Sequence, residues 1–169
     1  MLAGVVVTLG LVTACSGTRD AREPGEALGT FVVTGKLVAT TCGKADPTFR
    51  YDVRLSREGS TLYWLQGASP VSGTVDANAK LYMVAGAEAV VERPDTKAGI
   101  VGCTLKRTDT LAATLRGEPV SAFDGAIVYK FETRSGDCAA QLEGAGGDYA
   151  EFPCTMTYDV SAALKGSTY

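Results

Sequence analysis

The chain has 169 residues, a formal net charge of −3 and no histidine. This length is enough for one domain with a sizeable core, and the slightly acidic balance argues against nucleic acid as a partner, because nucleic-acid binding needs a clustered basic surface. The missing histidine removes the commonest general base and any Ser-His-Asp triad, so we expect neither catalysis nor a bound cofactor.

The first element along the chain is an uncharged apolar segment that ends on small residues directly before a cysteine. Its apolar core, residues 2–12, has the length of a signal-peptide core and is too short to cross a bilayer as a helix. The junction Val12-Thr13-Ala14-Cys15 resembles the lipobox of bacterial lipoproteins. This resemblance implies cleavage before Cys15, acyl chains such as palmitate on the new N-terminal cysteine, and attachment to a cell-envelope membrane.

The residue after the cysteine is Ser16. In two-membrane bacteria an Asp at this position retains a lipoprotein in the inner membrane, so the resemblance implies the outer membrane for a host of that kind. Ordinary secretion after cleavage and an uncleaved membrane anchor remain as alternatives. We expect a signal peptide at residues 1–14, a flexible tether at 15–27 that is small and charged, and a single β domain at 28–169.

Within this domain, apolar and polar residues alternate with period two. The alternation is clearest in residues 31–40, 49–56 and 152–161. It predicts half-buried strands with one face in water. Further strands are predicted at residues 61–66, 80–85, 87–92, 102–107, 110–116 and 126–133. No segment has the pattern of an amphipathic helix of three turns.

The close spacing of these strands, with turn signals between them, predicts an all-β fold. We expect an antiparallel meander or calycin-like barrel of about eight to ten strands, with a β-sandwich as the alternative. Closure into a barrel removes exposed sheet edges. The triplet Gly29-Thr30-Phe31 resembles the Gly-x-Trp motif of lipocalins, with Phe in place of Trp, and implies a similar shape. The expected core includes Val33, Tyr51, Val53, Leu55, Leu105, Phe131, Met156 and Tyr158.

Four cysteines follow the leader junction, namely Cys42, Cys103, Cys138 and Cys154. An even number in an oxidising export compartment predicts two disulfides. Three connectivities are possible, and we favour Cys138–Cys154 with Cys42–Cys103, since the first bond closes a short loop around a glycine-rich turn. A zinc site is the competing interpretation, but the chain has no Cys-x-x-Cys pair and no histidine, so we expect no metal.

The neighbours Tyr63 and Trp64 are the best candidates for a binding surface. Adjacent residues of a strand face opposite sides, so we expect one ring on the outer face and the other on the inner side of the wall, where it can line the lumen. Together with the leader and the lack of a catalytic set, this pair suggests a function. We expect a lipid-anchored, non-catalytic envelope protein that binds a protein partner or a small apolar ligand.

Two other functions remain open. An envelope assembly factor or an inhibitor of a secreted protease would use loop tips at residues 121–125 or 143–149. A carboxylate-dependent hydrolase would need two acidic side chains facing each other in a groove, drawn from Asp52, Glu88, Glu92, Glu132 and Asp159. A hollow barrel would favour ligand binding, a packed barrel with projecting loops would favour the assembly or inhibitor function, and facing carboxylates would favour the hydrolase.

Overall fold

The computed structural model describes residues 22–67 and 69–166. These residues form a closed antiparallel barrel in which each strand pairs with the next and the last returns to the first. The strands are β1 (Glu26–Thr40), β2 (Thr48–Glu58), β3 (Thr61–Leu65), β4 (Val71–Val75), β5 (Lys80–Glu92), β6 (Cys103–Arg116), β7 (Ala122–Gly136) and β8 (Cys154–Leu164). The prediction of an all-β, calycin-like barrel is confirmed, and closure excludes the sandwich.

The predicted signal peptide and Cys15 lie outside the described residues. The first strand begins at Glu26, inside the segment predicted as a tether. Just before it, the backbone carbonyl of Pro24 accepts a hydrogen bond from the hydroxyl of Ser56 on β2. The barrel therefore begins slightly earlier than the hydrophobic pattern indicates, because these residues are held by backbone contacts rather than by apolar side chains.

Two strands, β5 and β6, each span two segments that the sequence predicts as separate strands. β5 runs through Gly86, and β6 runs through Thr108 and Asp109, so each joins two predicted segments into one strand. The two strands pair with each other from Lys80 onward, and this continuous ladder carries both across the residues that interrupt the apolar pattern. Long-range pairing thus overrides local preference at these positions.

The barrel interior is packed at the end where β1 begins, which we call the closed end. Phe31, Leu62 and Phe123 are fully buried there, and the two phenylalanine rings lie 6.4 Å apart. Phe31 is the residue that takes the Trp position of the lipocalin-like triplet. Among the expected core residues, the buried ones are Val33, Val53, Leu55, Leu105 and Tyr158, whereas Tyr51, Phe131 and Met156 are half-buried.

The opposite end, which we call the open end, has a wall of unequal height. β3 and β4 have 5 residues each, whereas β5, β6 and β7 have 13, 14 and 15. At about 3.3 Å per residue, the longer strands extend far beyond the edge of the shorter ones. The barrel therefore has a low side, formed by β3, β4 and the loop between them, and a high side formed by β5, β6 and β7.

The favoured disulfide connectivity is wrong. The bonds are Cys42–Cys154 and Cys103–Cys138, with Cα separations of 4.9 and 5.0 Å. Cys154 lies opposite Phe131, and β7 then continues to Gly136 before Cys138 is reached. This continuation covers roughly 17 Å of extended chain, which is too far for a bond between Cys138 and Cys154.

The loop between β7 and β8 folds inward over the open end. It contains two short 3-10 helices, Ala139–Gln141 and Glu143–Ala145. The rings of Tyr149 and Phe152 pack against the inner face of the tall part of the wall, where the ring of Phe131 lies 5.3 Å from that of Tyr149. The two disulfides fix the ends of this loop to two different elements. One end is bonded to β6 and the other to the segment after β1.

Candidate functional site

Strand β6 directs two charged side chains toward the barrel interior. Its buried apolar residues all have odd numbers: Leu105, Leu111, Ala113 and Leu115. Arg107 and Asp109 share this parity, and alternate residues of a strand face the same side. They lie between Leu105 and Leu111, at the level where the packed core of the closed end stops.

Arg107 and Asp109 form a two-point ion pair. The guanidinium Nε lies 2.6 Å from Oδ1 of the carboxylate, and Nη2 lies 2.8 Å from Oδ2. The Cζ atom of Arg107 is 4.3 Å from the ring centroid of Tyr129 on β7, so the guanidinium also stacks on an aromatic face. The side chains of Arg107 and Asp109 are 45% and 29% exposed. Pairing on one edge and stacking on one face hold the guanidinium in a fixed orientation.

Two tyrosines complete the polar part of the site. The phenol groups of Tyr51 on β2 and Tyr129 on β7 both line this site and lie close enough to influence each other's ionisation. Burial raises the pKa of Tyr51 far above the usual value, and the nearby Tyr129 and Asp109 raise it further. Burial also raises the pKa of Tyr129. Both phenols are therefore neutral, and each keeps a hydroxyl proton that it can donate.

These side chains lie beside a cavity of about 350 Å³ at the low side of the open end. Its floor is apolar and consists of Trp64, Met83, Leu111 and Ile127. Its rim includes Gln66, whose side-chain oxygen accepts a hydrogen bond of 3.1 Å from the indole nitrogen of Trp64. The barrel is thus packed at the closed end and hollow at the open end.

The structure separates the two predicted binding residues. Trp64 is buried, faces the lumen and lines the cavity, with its ring 6.2 Å from that of Tyr51. Tyr63 is half-buried on the outer side of β3. Of the pair, Trp64 therefore belongs to the site and Tyr63 does not.

Four of the five predicted carboxylates lie on the outside of the barrel, and the fifth, Glu92, is half-buried at the end of β5. Asp52 pairs with Lys165, Glu88 pairs with Arg134, and Glu132 pairs with lysines. Asp159 is exposed. Among the described residues that line the cavity, Asp109 is the only carboxylate. A glycosidase-like mechanism needs two carboxylates across a cleft, and this cavity does not provide them.

Sequence reasoning missed Arg107 and Asp109, although a usable signal was present. Arg107 is the last residue of one predicted strand, and Asp109 lies just before the next predicted strand, which begins at Thr110. Counting by two from Leu105 to Leu115 would have placed both charges on the apolar side of a single strand. A charged pair at inward positions of an otherwise apolar strand face is therefore the feature to look for.

The part of the chain that the structure describes lacks both a cluster of metal ligands and a membrane-spanning helix. Within residues 22–67 and 69–166, no three potential metal-ligating side chains are grouped to hold an ion. No helix in those ranges is long and apolar enough to span a membrane. Comparison with protein-family models, curated proteins and solved structures found no match to this chain. The function of the cavity is therefore inferred from its own chemistry.

The buried phenols predict a loss of stability at high pH. Since burial raises the pKa of Tyr51 in the folded protein, the unfolded chain loses this proton first, and ionisation favours unfolding. We expect the free energy of unfolding to decrease as pH rises above about 10, the ordinary tyrosine value. Urea unfolding at pH 8–11 measures this decrease in the free energy of unfolding.

Tyr51→Phe should show a shallower decrease, whereas Tyr82→Phe, on the exposed outer face, should follow the parent. A decrease as steep in Tyr51→Phe as in the parent would contradict this assignment.

Proposed function

We propose that the protein is a lipid-anchored, non-catalytic binding protein of the cell envelope that holds a small amphipathic molecule in the cavity at its open end. The observation that supports this most strongly is the placement of Arg107 and Asp109 beside an apolar hollow. Ligand sites combine mainly apolar walls with a few placed polar groups, in volumes of about 300–1,000 Å³. The cavity of about 350 Å³ fits the lower end of this range.

The charged pair is hard to explain as a device for stability. A half-buried ion pair gains little over apolar side chains of similar size, because desolvation offsets the attraction between the charges. The closed end shows that this chain can fill its interior with apolar residues such as Phe31 and Phe123. The polar groups at the open end are better explained by a bound molecule that they orient.

Filling the cavity is expected to abolish binding. N-phenyl-1-naphthylamine, a neutral dye that fluoresces in apolar sites, is the probe. Ala85 lines the cavity, and an Ala85→Trp variant would occupy it. Val84 is its neighbour on β5 but is exposed on the outer face, so Val84→Trp introduces the same side chain outside the lumen. We expect at least tenfold weaker dye binding in Ala85→Trp and unchanged binding in Val84→Trp. Equal binding in both variants would contradict ligand binding in the lumen.

The direction of the chain relates the cavity to the proposed anchor. β1 begins at the closed end, so a tether from Cys15 would join the barrel at that end. Glu23 and Pro24 are held against β2, so the free tether is the eight residues from Cys15 to Glu23, which span at most roughly 26–29 Å. The cavity opens at the opposite end of the barrel. In the proposed arrangement the cavity faces away from the membrane that carries the anchor.

Replacing the lipidated cysteine is expected to release the protein. Cys15→Ser removes the acceptor of the acyl chains, and two or more such chains are needed for stable anchoring. Fractionation should find the parent with the membranes and Cys15→Ser in the soluble fraction, while Ser16→Ala should fractionate like the parent. Mass spectrometry should detect lipid on the parent. A Cys15→Ser protein that stays with the membranes, from a parent without a lipid mass, would contradict the anchor.

A second candidate is docking to an envelope protein, which one observation favours. The hairpin between β5 and β6 exposes four apolar side chains at the open end: Val90, Val91, Ile100 and Val101. Exposed apolar clusters often mark protein contacts. The loop tips expected for this function fit it less well, because Phe123 is buried in the core and Tyr149 is paired with Gly43. Cross-linking in cells from this hairpin tests the candidate.

A further inference from the structure

We infer that the molecule held in this cavity is a small organic acid whose carboxylate binds Arg107 and whose flat apolar body lies on the cavity floor. The inference depends on the proposed function, since it assigns the chemistry of a ligand to the proposed site. It is supported by the hydrogen-bonding groups at the site, by the geometry of the guanidinium and by the shape of the floor.

The hydrogen-bonding groups at the site are mostly donors. Both oxygens of Asp109 already accept hydrogen bonds from Arg107. The side-chain oxygen of Gln66 accepts from the indole of Trp64, which leaves its amide nitrogen as a donor. The neutral phenols of Tyr51 and Tyr129 can also donate, as can the Nη1 group of Arg107. A bound head group therefore has to be rich in acceptors, and a carboxylate meets this requirement.

The geometry of Arg107 favours an anion at its remaining edge. Asp109 engages Nε and Nη2, and Tyr129 covers one face of the guanidinium plane. The side chain is nevertheless 45% exposed and lines the cavity. Guanidinium forks bind the planar oxygen pair of a carboxylate through charge-assisted hydrogen bonds.

The charge of Asp109 limits the charge of the ligand. Asp109 neutralises much of the field of Arg107 and would repel an incoming anion at close range. A singly charged carboxylate tolerates this better than a doubly charged phosphate does. The carboxylate of Asp109 therefore orients the guanidinium and also weakens the binding of any anion. Removing its charge while keeping its shape is expected to strengthen binding.

The body of the ligand is predicted from the floor. Trp64 and Tyr129 offer flat aromatic surfaces, while Met83 and Ile127 provide apolar contacts. The hollow of about 350 Å³ accommodates a molecule with one or two rings. We therefore choose three probes with the same naphthalene body and different head groups: 2-naphthoate, 2-naphthyl phosphate and the neutral 2-naphthamide.

Isothermal titration calorimetry on the mature, oxidised protein tests the inference. We expect 2-naphthoate to bind at least tenfold more tightly than 2-naphthamide, and more tightly than 2-naphthyl phosphate.

Arg107→Met should reduce the affinity for naphthoate to that for naphthamide. Asp109→Asn should strengthen naphthoate binding at least threefold and leave naphthamide unchanged. Arg134→Met, which removes an exposed arginine on the outer face, should change nothing. Circular dichroism verifies that each variant is folded, and Arg107→Lys, with an intermediate loss, serves if Arg107→Met does not fold.

The outcomes separate this inference from the proposed function. Equal affinity for naphthoate and naphthamide, with N-phenyl-1-naphthylamine still bound in the lumen, overturns the acid and leaves the binding function intact. Tighter binding of the phosphate overturns the choice of a carboxylate. A preference for naphthoate that survives in Arg107→Met but is lost in Arg134→Met places the anion elsewhere and also overturns it. Failure of all the probes, the neutral dye included, overturns both the inference and the proposed function.

Discussion

A Val53→Asp variant is expected to lose at least about 4 kcal/mol of unfolding free energy, which is most of the stability of an ordinary small domain. Val53 is 2% exposed and faces the lumen from β2, opposite Phe31 on β1. A carboxylate there would be removed from water without a cation or a hydrogen-bond donor to compensate it. Urea unfolding followed by circular dichroism measures the loss.

Val84→Asp is the matched control, because it makes the same substitution at a valine that is 47% exposed on the outer face of β5. Its cost should stay within about 1 kcal/mol, as for most surface changes. Arg54→Ser, on the wet face of β2 next to Val53, should also cost little, since it removes only an exposed ion pair with Glu23. If Val53→Asp were as mild as these controls, the assignment of inward and outward faces from alternation would be wrong.

Removing the bond between Cys42 and Cys154 is expected to have an effect of similar size. This bond joins residues 112 positions apart, and the chain-entropy model gives about 4.8 kcal/mol for a loop of that length. The other bond joins residues 35 positions apart, for which the same relation gives about 3.8 kcal/mol. A Cys42→Ala, Cys154→Ala variant should therefore lose more stability than Cys103→Ala, Cys138→Ala in thermal unfolding. The opposite ranking would show that the length of the closed loop does not govern the effect.

Peptide mapping under non-reducing conditions tests the connectivity itself. Trypsin alone is not sufficient, because residues 135–165 contain no internal Lys or Arg and hold both Cys138 and Cys154. A second cleavage after Glu143 or Glu151 separates the two cysteines. We then expect the fragment with Cys154 to be linked to Cys42. A fragment that joins Cys138 to Cys154 would contradict the structure.

The fold was predictable because its signal is local. Alternation in residues 31–40, 49–56 and 152–161 reports one wet face and one buried face, and this holds whatever the strand pairs with. The disulfide connectivity was not predictable in this way. It depends on how far β7 runs beyond the start of β8, and that length is set by the pairing of β7 with β6 up to Cys103 and Gly136.

The site was predictable only in part, for a related reason. Trp64 was singled out by its chemistry, and strand geometry required that it or Tyr63 face inward. The cavity exists because β3 and β4 are short while β5 to β7 are long, and this difference emerges only when strands are compared around the closed sheet. The sequence does not place Arg107 and Asp109 in the site, because the local pattern divides β6 into two strands near these charges and only the pairing with β5 joins them.

The double attachment of the β7–β8 loop has a consequence for kinetics. A disulfide holds each end of this loop, and Tyr149 and Phe152 pack between these ends against the wall of the barrel, so we do not expect the loop to swing open and shut as a lid does. Entry and exit then pass over the low side of the barrel, and exchange does not wait for a conformational gate. In the proposed binding protein, association rates for different ligands are similar, and their affinities differ mainly through residence time. We therefore expect such a site to release a weakly held molecule quickly.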